Sequence, residues 1–142
     1  MDEFDVLNID NQLCFPLYAC SKEIIKKYKP FLDEVDLTYT QYITMMVLWK
    51  EKEINVKKLG EKLYLDSGTL TPVLKKLELK GYIKRNRLKD DERNLNITIT
   101  KNGNNLKSKV KDIPQKIGKC ISISQDEASQ LYKILYKILG NV

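Results

Sequence analysis

The sequence predicts a mostly α fold with a small β-wing: a winged helix–turn–helix flanked by N- and C-terminal helices that form a dimerisation layer. Three observations predict it. Residues 59–100 spell a short helix, a turn at Tyr64-Leu65-Asp66-Ser67, a second helix with Leu70, Val73, Leu74 and Leu77 on one face, and a hairpin, the order of a winged DNA reader. From Lys75 to Arg93, eight lysines and arginines stand against four acids, a surplus of +4 in a chain of formal charge +6. A surplus gathered on one helix and its hairpin is what phosphate neutralisation requires, although a solvated basic face has the same composition. Amphipathic helices precede and follow this reader, each with an apolar stripe wider than so small a domain needs.

Taken in order, a first helix is expected from Asn11 to Phe31, with Leu13, Leu17, Ile24, Ile25 and Tyr28 as its stripe. Pro16 implies that it either starts near Cys14 or is kinked there, and Pro30 should end its regular part. Thr38-Tyr39-Thr40-Gln41 is a capping box that opens a helix from Tyr39 to about Lys50, with Tyr42, Met45, Met46 and Trp49 as core. Ile54-Asn55-Val56 reads as a short extended link, and Asn55 can cap a helix over Val56–Leu63. Asp66 or Ser67 caps the recognition helix, which runs to Lys80 and is closed by Gly81; Pro72 is tolerable only near its first turn. Strands follow at Tyr82–Arg85 and Leu95–Ile99 around a charged tip. Thr100 starts another helix towards Lys119, bent at Pro114, and Ser124-Gln125-Asp126-Glu127 opens a terminal helix with Leu131, Ile134, Leu135, Ile138 and Leu139 on one side. The 142 residues make a single domain, with about 1–36 and 102–142 as dimerisation helices and about 37–101 as the DNA-binding region.

Composition narrows the function. There is no apolar run long enough to span a membrane, and the acidic N-terminus MDEFDVLNIDN is no signal peptide, so a cytoplasmic protein without membrane contact is expected. Three widely spaced cysteines do not make a disulfide scaffold. The absence of histidine removes Ser-His and Cys-His catalysis and weakens any zinc site, so neither a metal, a cofactor nor an enzyme is expected.

Several motifs carry a resemblance. Leu37-Thr38-Tyr39-Thr40-Gln41-Tyr42, Leu65-Asp66-Ser67-Gly68-Thr69-Leu70-Thr71-Pro72-Val73-Leu74-Lys75-Lys76-Leu77-Glu78 and Asp91-Glu92-Arg93 resemble the MarR family of transcription regulators, and Asn11-Gln12-Leu13-Cys14-Phe15 resembles its organic-hydroperoxide-sensing branch, the OhrR-type repressors. The resemblance implies that Cys14 is the peroxide-sensing thiol. It implies that Tyr28 and Tyr39 hydrogen-bond its thiolate across a homodimer interface, with Tyr18 nearby. It also implies that Ser67, Gly68, Thr69 and Thr71 approach a double-stranded DNA operator while Arg93, held by Asp91, enters the minor groove. Pro16 departs from the small helix formers usual at its position.

The residues themselves support part of this. The thiolate is the reactive form of cysteine, and a helix N-terminus at Cys14 would favour an anion; peroxide would convert it to a sulfenic acid. A buried structural cysteine is the bland alternative. Cys120 stands where some members of the branch carry a resolving thiol, or it is a passive surface thiol; Cys20 is expected in the core. Lys75, Lys76, Arg85 and Arg87 supply the basic surface, and the short side chains at Ser67, Thr69 and Thr71 suit close approach to base edges and phosphates. The expected function is a dimeric repressor released from a palindromic operator when organic hydroperoxide oxidises Cys14. The alternative is a MarR-type regulator that answers to a small aromatic ligand, in a pocket lined by Met45, Met46, Trp49 and Tyr18. A thiol peroxidase is the weakest reading, because no arginine or threonine neighbours Cys14 to polarise a peroxide.

Overall fold

The protein is described from a computed structural model, over residues 2–87 and 95–140. Two short 3-10 turns, Glu3–Leu7 and Ile9–Asn11, precede α1 (Cys14–Asp33) and α2 (Tyr39–Glu51). Then come β1 (Glu53–Asn55), α3 (Val56–Leu63), α4 (Ser67–Leu79), β2 (Ile83–Arg87) and β3 (Leu95–Ile99). Three short helices, α5 (Lys101–Asn105), α6 (Lys107–Val110) and α7 (Ile113–Cys120), lead to the terminal α8 (Gln125–Leu139). The fold class expected from the sequence is the one observed.

Local chemistry sets most of these boundaries. The Thr38 hydroxyl accepts from the Gln41 N–H while the Gln41 side chain accepts from the Thr38 N–H, so the α2 capping box is complete. Asn55, Asp66 and Ser124 cap α3, α4 and α8 through their side chains. Gly81, at φ +82°, ends the recognition segment in the left-handed conformation that glycine adopts without strain. The extended link expected at Ile54 is a true strand: β1 pairs with β3, Ile54 opposite Ile97, and β3 pairs with β2, giving an antiparallel sheet of order β1–β3–β2.

Proline is where expectation and structure part. α1 does start at Cys14, with Pro16 in its first turn. Pro30, however, does not end α1, which continues to Asp33. Tertiary packing holds the last turn: Leu32 is buried and Phe31 packs against the core. Pro72 likewise lies inside α4, past its first turn. It deprives the Gly68 carbonyl of a helical partner, and Gly68 is exposed, so water can serve that oxygen. The helix expected from Thr100 to Lys119 is broken into three pieces. Pro114 sits in the first turn of α7 instead of bending a longer helix. Buried Leu106, Val110, Ile113 and Ile117, spaced three and four apart, keep the pieces in line on the core.

The core joins the reader to the helices around it. Met45 and Leu48 of α2, Leu59 of α3, Leu70, Leu74 and Leu77 of α4, and Ile83 and Ile97 of the sheet are almost completely buried. At about 1.5–3 kcal/mol for each fully buried side chain of this size, this cluster is the main source of stability. Cys20 and Met46, expected in the core, are exposed, as are Leu13, Leu17 and Ile25 of the α1 stripe. α8 buries none of its residues, and Leu131, Ile134 and Ile138 are open.

One junction fastens the C-terminal helices to the reader. The Thr100 N–H donates to the Tyr82 carbonyl at 3.0 Å. The Thr100 hydroxyl donates to the Gly81 carbonyl at 2.6 Å and accepts from the Gly103 N–H at 3.0 Å. From α2, the Trp49 indole N–H donates to the Gly103 carbonyl at 2.9 Å. A Cβ on Gly103 would overlap the Tyr82 carbonyl oxygen, and the overlap would be with backbone, which cannot swing aside. Gly103→Ala is therefore expected to cost about 2–4 kcal/mol by thermal or urea unfolding. Gly118→Ala is the control: nothing lies within 4 Å of the added methyl, and helix propensity should leave stability unchanged or raised by up to about 1 kcal/mol.

Candidate nucleic-acid interface and thiol site

The DNA-facing candidate begins at the α3–α4 turn. Tyr64 ends α3 in a left-handed conformation, φ 55°. The chain doubles back so closely there that a Cβ on Gly60 would lie 2.9 Å from the Leu65 carbonyl oxygen. The Asp66 carboxylate then caps α4 by accepting the Thr69 N–H at 2.8 Å. Thr69, with a smaller contribution from the Gly68 N–H, holds that carboxyl below the usual range. Ser67, Gly68, Thr69 and Thr71 form the exposed start of α4, and Lys75 and Lys76 lie exposed further along it. The opposite face, Leu70, Val73, Leu74 and Leu77, is buried. The structure thus brings the expected α4 residues together on one accessible side.

Arg85 is not part of a free basic surface. Its guanidinium Nε and a terminal nitrogen donate to Glu78 Oε1 at 3.0 and 2.9 Å, and its backbone N–H donates to Glu78 Oε2 at 2.9 Å. The Arg85 side chain, followed by its backbone N–H, holds the Glu78 carboxyl below its ordinary range. Arg85 therefore braces β2 against α4, and the correction to the expectation follows from geometry: Glu78 near the end of α4 faces the middle of β2. Glu78 was not singled out from the sequence; an acid seven residues before an arginine becomes a partner only once the intervening chain has turned. Arg87 is exposed at the end of β2. Asp91 and Arg93 lie outside the described residues.

The thiol site is spread over the chain. Cys14 is the exposed first residue of α1, and Cys120 is the exposed last residue of α7, its Sγ 3.4 Å from the Lys116 carbonyl. Tyr18 is exposed one turn beyond Cys14, its ring 6.5 Å from that of Phe15 and under the Lys22 ammonium. Tyr28 and Tyr39 stand together, ring centroids 4.9 Å apart, and Tyr42 joins them at 5.9 and 6.3 Å. Tyr42 is core as expected, 3% exposed, and its place one helical turn after Tyr39 also brings it into this cluster. Fourteen residues of continuous helix, about 21 Å of axial rise, separate Cys14 from Tyr28. One chain therefore cannot bring its own thiol to its own tyrosine pair.

The tyrosine cluster has a measurable signature. Burial, reinforced by Tyr39 and Tyr42, pushes the Tyr28 hydroxyl up to about 12, and burial raises Tyr39 and Tyr42 as well. Among the described residues no group of three or more acidic, cysteine or histidine side chains could hold a metal ion, and no helix is long and apolar enough to cross a membrane.

Comparison with known proteins gives this geometry a family. The family profile for the transcriptional regulator SarA/Rot matches residues 26–110. The chain belongs to the SarA/Rot family of transcriptional regulators. It is 47% identical over 138 residues to the organic hydroperoxide resistance transcriptional regulator of Bacillus subtilis, covering 97% of this chain and 94% of that one. It is 50% identical over 133 residues to the HTH-type transcriptional regulator SarZ of Staphylococcus haemolyticus, covering 94% and 90%. AbfR of Staphylococcus epidermidis, 34% identical, superposes in its reduced, DNA-bound form with a TM-score of 0.78 over 99% of this chain and 98% of that one. In its disulfide form it superposes with a TM-score of 0.65 over 96% and 93%. The MarR-type, OhrR-like resemblance read from the motifs is borne out, and this SarA/Rot member is a DNA-binding transcriptional regulator whose relatives are named as regulators and not as enzymes.

The raised tyrosines give a pH dependence of known sign. A hydroxyl that holds its proton more tightly folded than unfolded leaves stability intact below the free tyrosine value near 10. Stability then falls as pH climbs from about 10 to about 12, because the unfolded chain ionises first. Phenolate absorbance should show a late-titrating group that Tyr28→Phe removes, and that variant should flatten the loss of stability over the same range. A cluster that titrates with the exposed tyrosines would contradict the burial described above.

Proposed function

We propose that this regulator binds a palindromic DNA operator as a homodimer and leaves it when an organic hydroperoxide oxidises Cys14. The observation that carries the reading is Cys14 itself, exposed at the first turn of α1 in a chain 47% identical to an organic hydroperoxide resistance regulator. Sulfur attacks one peroxide oxygen, the O–O bond breaks, and the alcohol leaves after taking a proton, so that thiol and ROOH become sulfenic acid and ROH. A second thiol can then displace water from the sulfenic acid to form a disulfide. Exposed Cys120 is one candidate donor and a small external thiol is the other.

The apolar faces of α1 and α8 support a dimer, because exposed Leu13, Leu17, Leu131, Ile134 and Ile138 make more than scattered surface residues. It also supplies what one chain lacks, since Cys14 of one protomer can meet Tyr28 and Tyr39 of the other. Two α4 helices about one DNA turn apart then read the two half-sites together. An altered spacing after oxidation weakens both contacts at once. AbfR supports this line of reasoning, being known both in a reduced form bound to DNA and in a disulfide form.

A second reading has its own observation. A groove of about 280 Å³ between α2 and α6–α7 is lined by Tyr42, Met46, Trp49, Val110 and Pro114, with Lys107 and Lys111 at its edge, a chemistry suited to an aromatic acid. Met45, buried in the core, and Tyr18, on the far part of α1, do not line it.

Gel shifts separate the readings. Cys14→Ser should bind operator DNA within about threefold of wild type and keep it under near-stoichiometric organic hydroperoxide. A mutant that still releases DNA on peroxide overturns the sensor reading, and release by an aromatic acid with an inert Cys14 favours the second. Non-reducing electrophoresis tests Cys120, whose participation yields a dimer-sized band. For the reader, Lys75→Ala and Lys76→Ala should each lower the slope of log affinity against log salt by about 1 and weaken all DNA sequences alike.

A further inference from the structure

The N-terminal segment before Cys14 is folded, yet every residue of it from Asp2 to Leu13 is exposed. Asp2 caps the first 3-10 turn by accepting the Phe4 N–H at 3.1 Å, Asn11 Nδ2 donates to the Asp5 carbonyl at 2.8 Å, and Gln12 Nε2 donates to the Val6 carbonyl at 2.6 Å. Phe4, Val6, Leu7 and Ile9 are 62, 72, 75 and 53% exposed. Four large apolar side chains on an ordered strap imply a surface elsewhere that covers them. The strap also has one sign of charge: Asp2, Glu3, Asp5 and Asp10 are its acids, and no lysine or arginine occurs before Lys22.

The opposite charge has its own place. Residues 101–119 carry six lysines and one acid, Asp112. All six lysines are exposed, and among the described residues none of them makes an ion pair. Lys107 and Lys111 stand at the edge of the groove that Tyr42 and Trp49 line. Lys116 lies 5.5 Å over the Phe31 ring of α1. This basic rim therefore adjoins the Tyr28–Tyr39–Tyr42 cluster, to which the proposed function brings Cys14 of the second protomer.

We propose that the groove between α2 and α6–α7 receives the N-terminal strap, residues 2–12, of a second copy of the chain. Its free carboxylates meet Lys107, Lys111 and Lys116, and an apolar side chain of the Phe4–Ile9 run enters the groove. The placement rests on the reading of Cys14 as a thiol presented to the partner's tyrosines, because the strap ends where that thiol begins. The strap then acts as a clasp that holds the reactive thiol in register, and it contributes an ionic, salt-sensitive part of the dimer contact.

The test uses reduced full-length protein without peroxide, so that it is independent of thiol chemistry. Glu3→Lys with Asp10→Lys changes two acids whose carboxylates take no part in the strap's own caps. Lys107→Glu with Lys111→Glu changes the groove. By sedimentation equilibrium at low salt, each double variant should raise the dimer Kd about tenfold. The combined variant, with both signs exchanged, should return to within about threefold of wild type. A combined variant no tighter than its weaker parent overturns the clasp. Trp49, the chain's one tryptophan, gives a second readout. Its emission should shift to the blue on dimerisation of the full chain and stay unchanged when residues 2–9 are deleted; an emission change that ignores the deletion also overturns the proposal. If the charge exchange succeeds while Cys14→Ser still answers to peroxide, the clasp stands and the thiol reading alone falls.

Discussion

The close approach of Gly103 to the Tyr82 carbonyl is the contact on which the rest of the structure depends. Only a residue without a side chain fits there, and the hydrogen bonds of Thr100 and Trp49 converge on the same few backbone atoms. The corner between α4 and β2, the base of the wing, the central α2 and the first turn of the C-terminal helices are thereby fixed to one another through backbone. Backbone junctions have little rotameric slack. The contacts join α5, α2 and the base of the wing directly, with no flexible side chain between the Gly103 and Tyr82 backbones.

This has a bearing on how chemistry at a thiol can change a DNA contact some distance away. The tyrosine cluster sits on α1 and α2, and α2 carries Trp49 a few turns further on. Tyr42 and Trp49, ring centroids 6.4 Å apart, form the physical bridge from the cluster to the junction. The connection is made of packed aromatic rings and one indole hydrogen bond. On the proposed function, the second copy's Cys14 meets this cluster, and a sensing site of that kind is completed only by association.

Much of the reader was legible in the sequence because its signals are local. Thr38, Asn55, Asp66 and Ser124 announce helix starts through hydrogen bonds within three residues, and Gly81 announces an end through its own backbone conformation. The apolar face of α4 follows from spacing alone. What could not be read depends on distant partners. Pro30 and Pro72 lie inside helices because packing on the core outweighs the lost hydrogen bonds. The segment after Thr100 breaks into three helices because its buried residues, and not its propensities, determine its path. Arg85 became a brace because the hairpin returns it to Glu78. The exposure of Cys20 on a helix read as core has the same origin: a stripe shows which face is apolar, but not which molecule will cover it.

The brace between Glu78 and Arg85 has a consequence beyond stability. Both carboxylate oxygens are engaged by one residue of β2, through side chain and main chain together, so α4 and β2 are fastened to each other by three hydrogen bonds. Cys14 and Tyr28 lie on α1, and the groove beside α7 is lined from α2, α6 and α7, so none of them belongs to α4 or β2. On the proposed function, the surface that chooses an address on the genome is chemically separate from the surface that hears the signal. A lineage built this way can drift towards new operators by exchanging Ser67, Thr69 or Thr71 while its sense organ stays the same, or change what it senses while still reporting to the same genes.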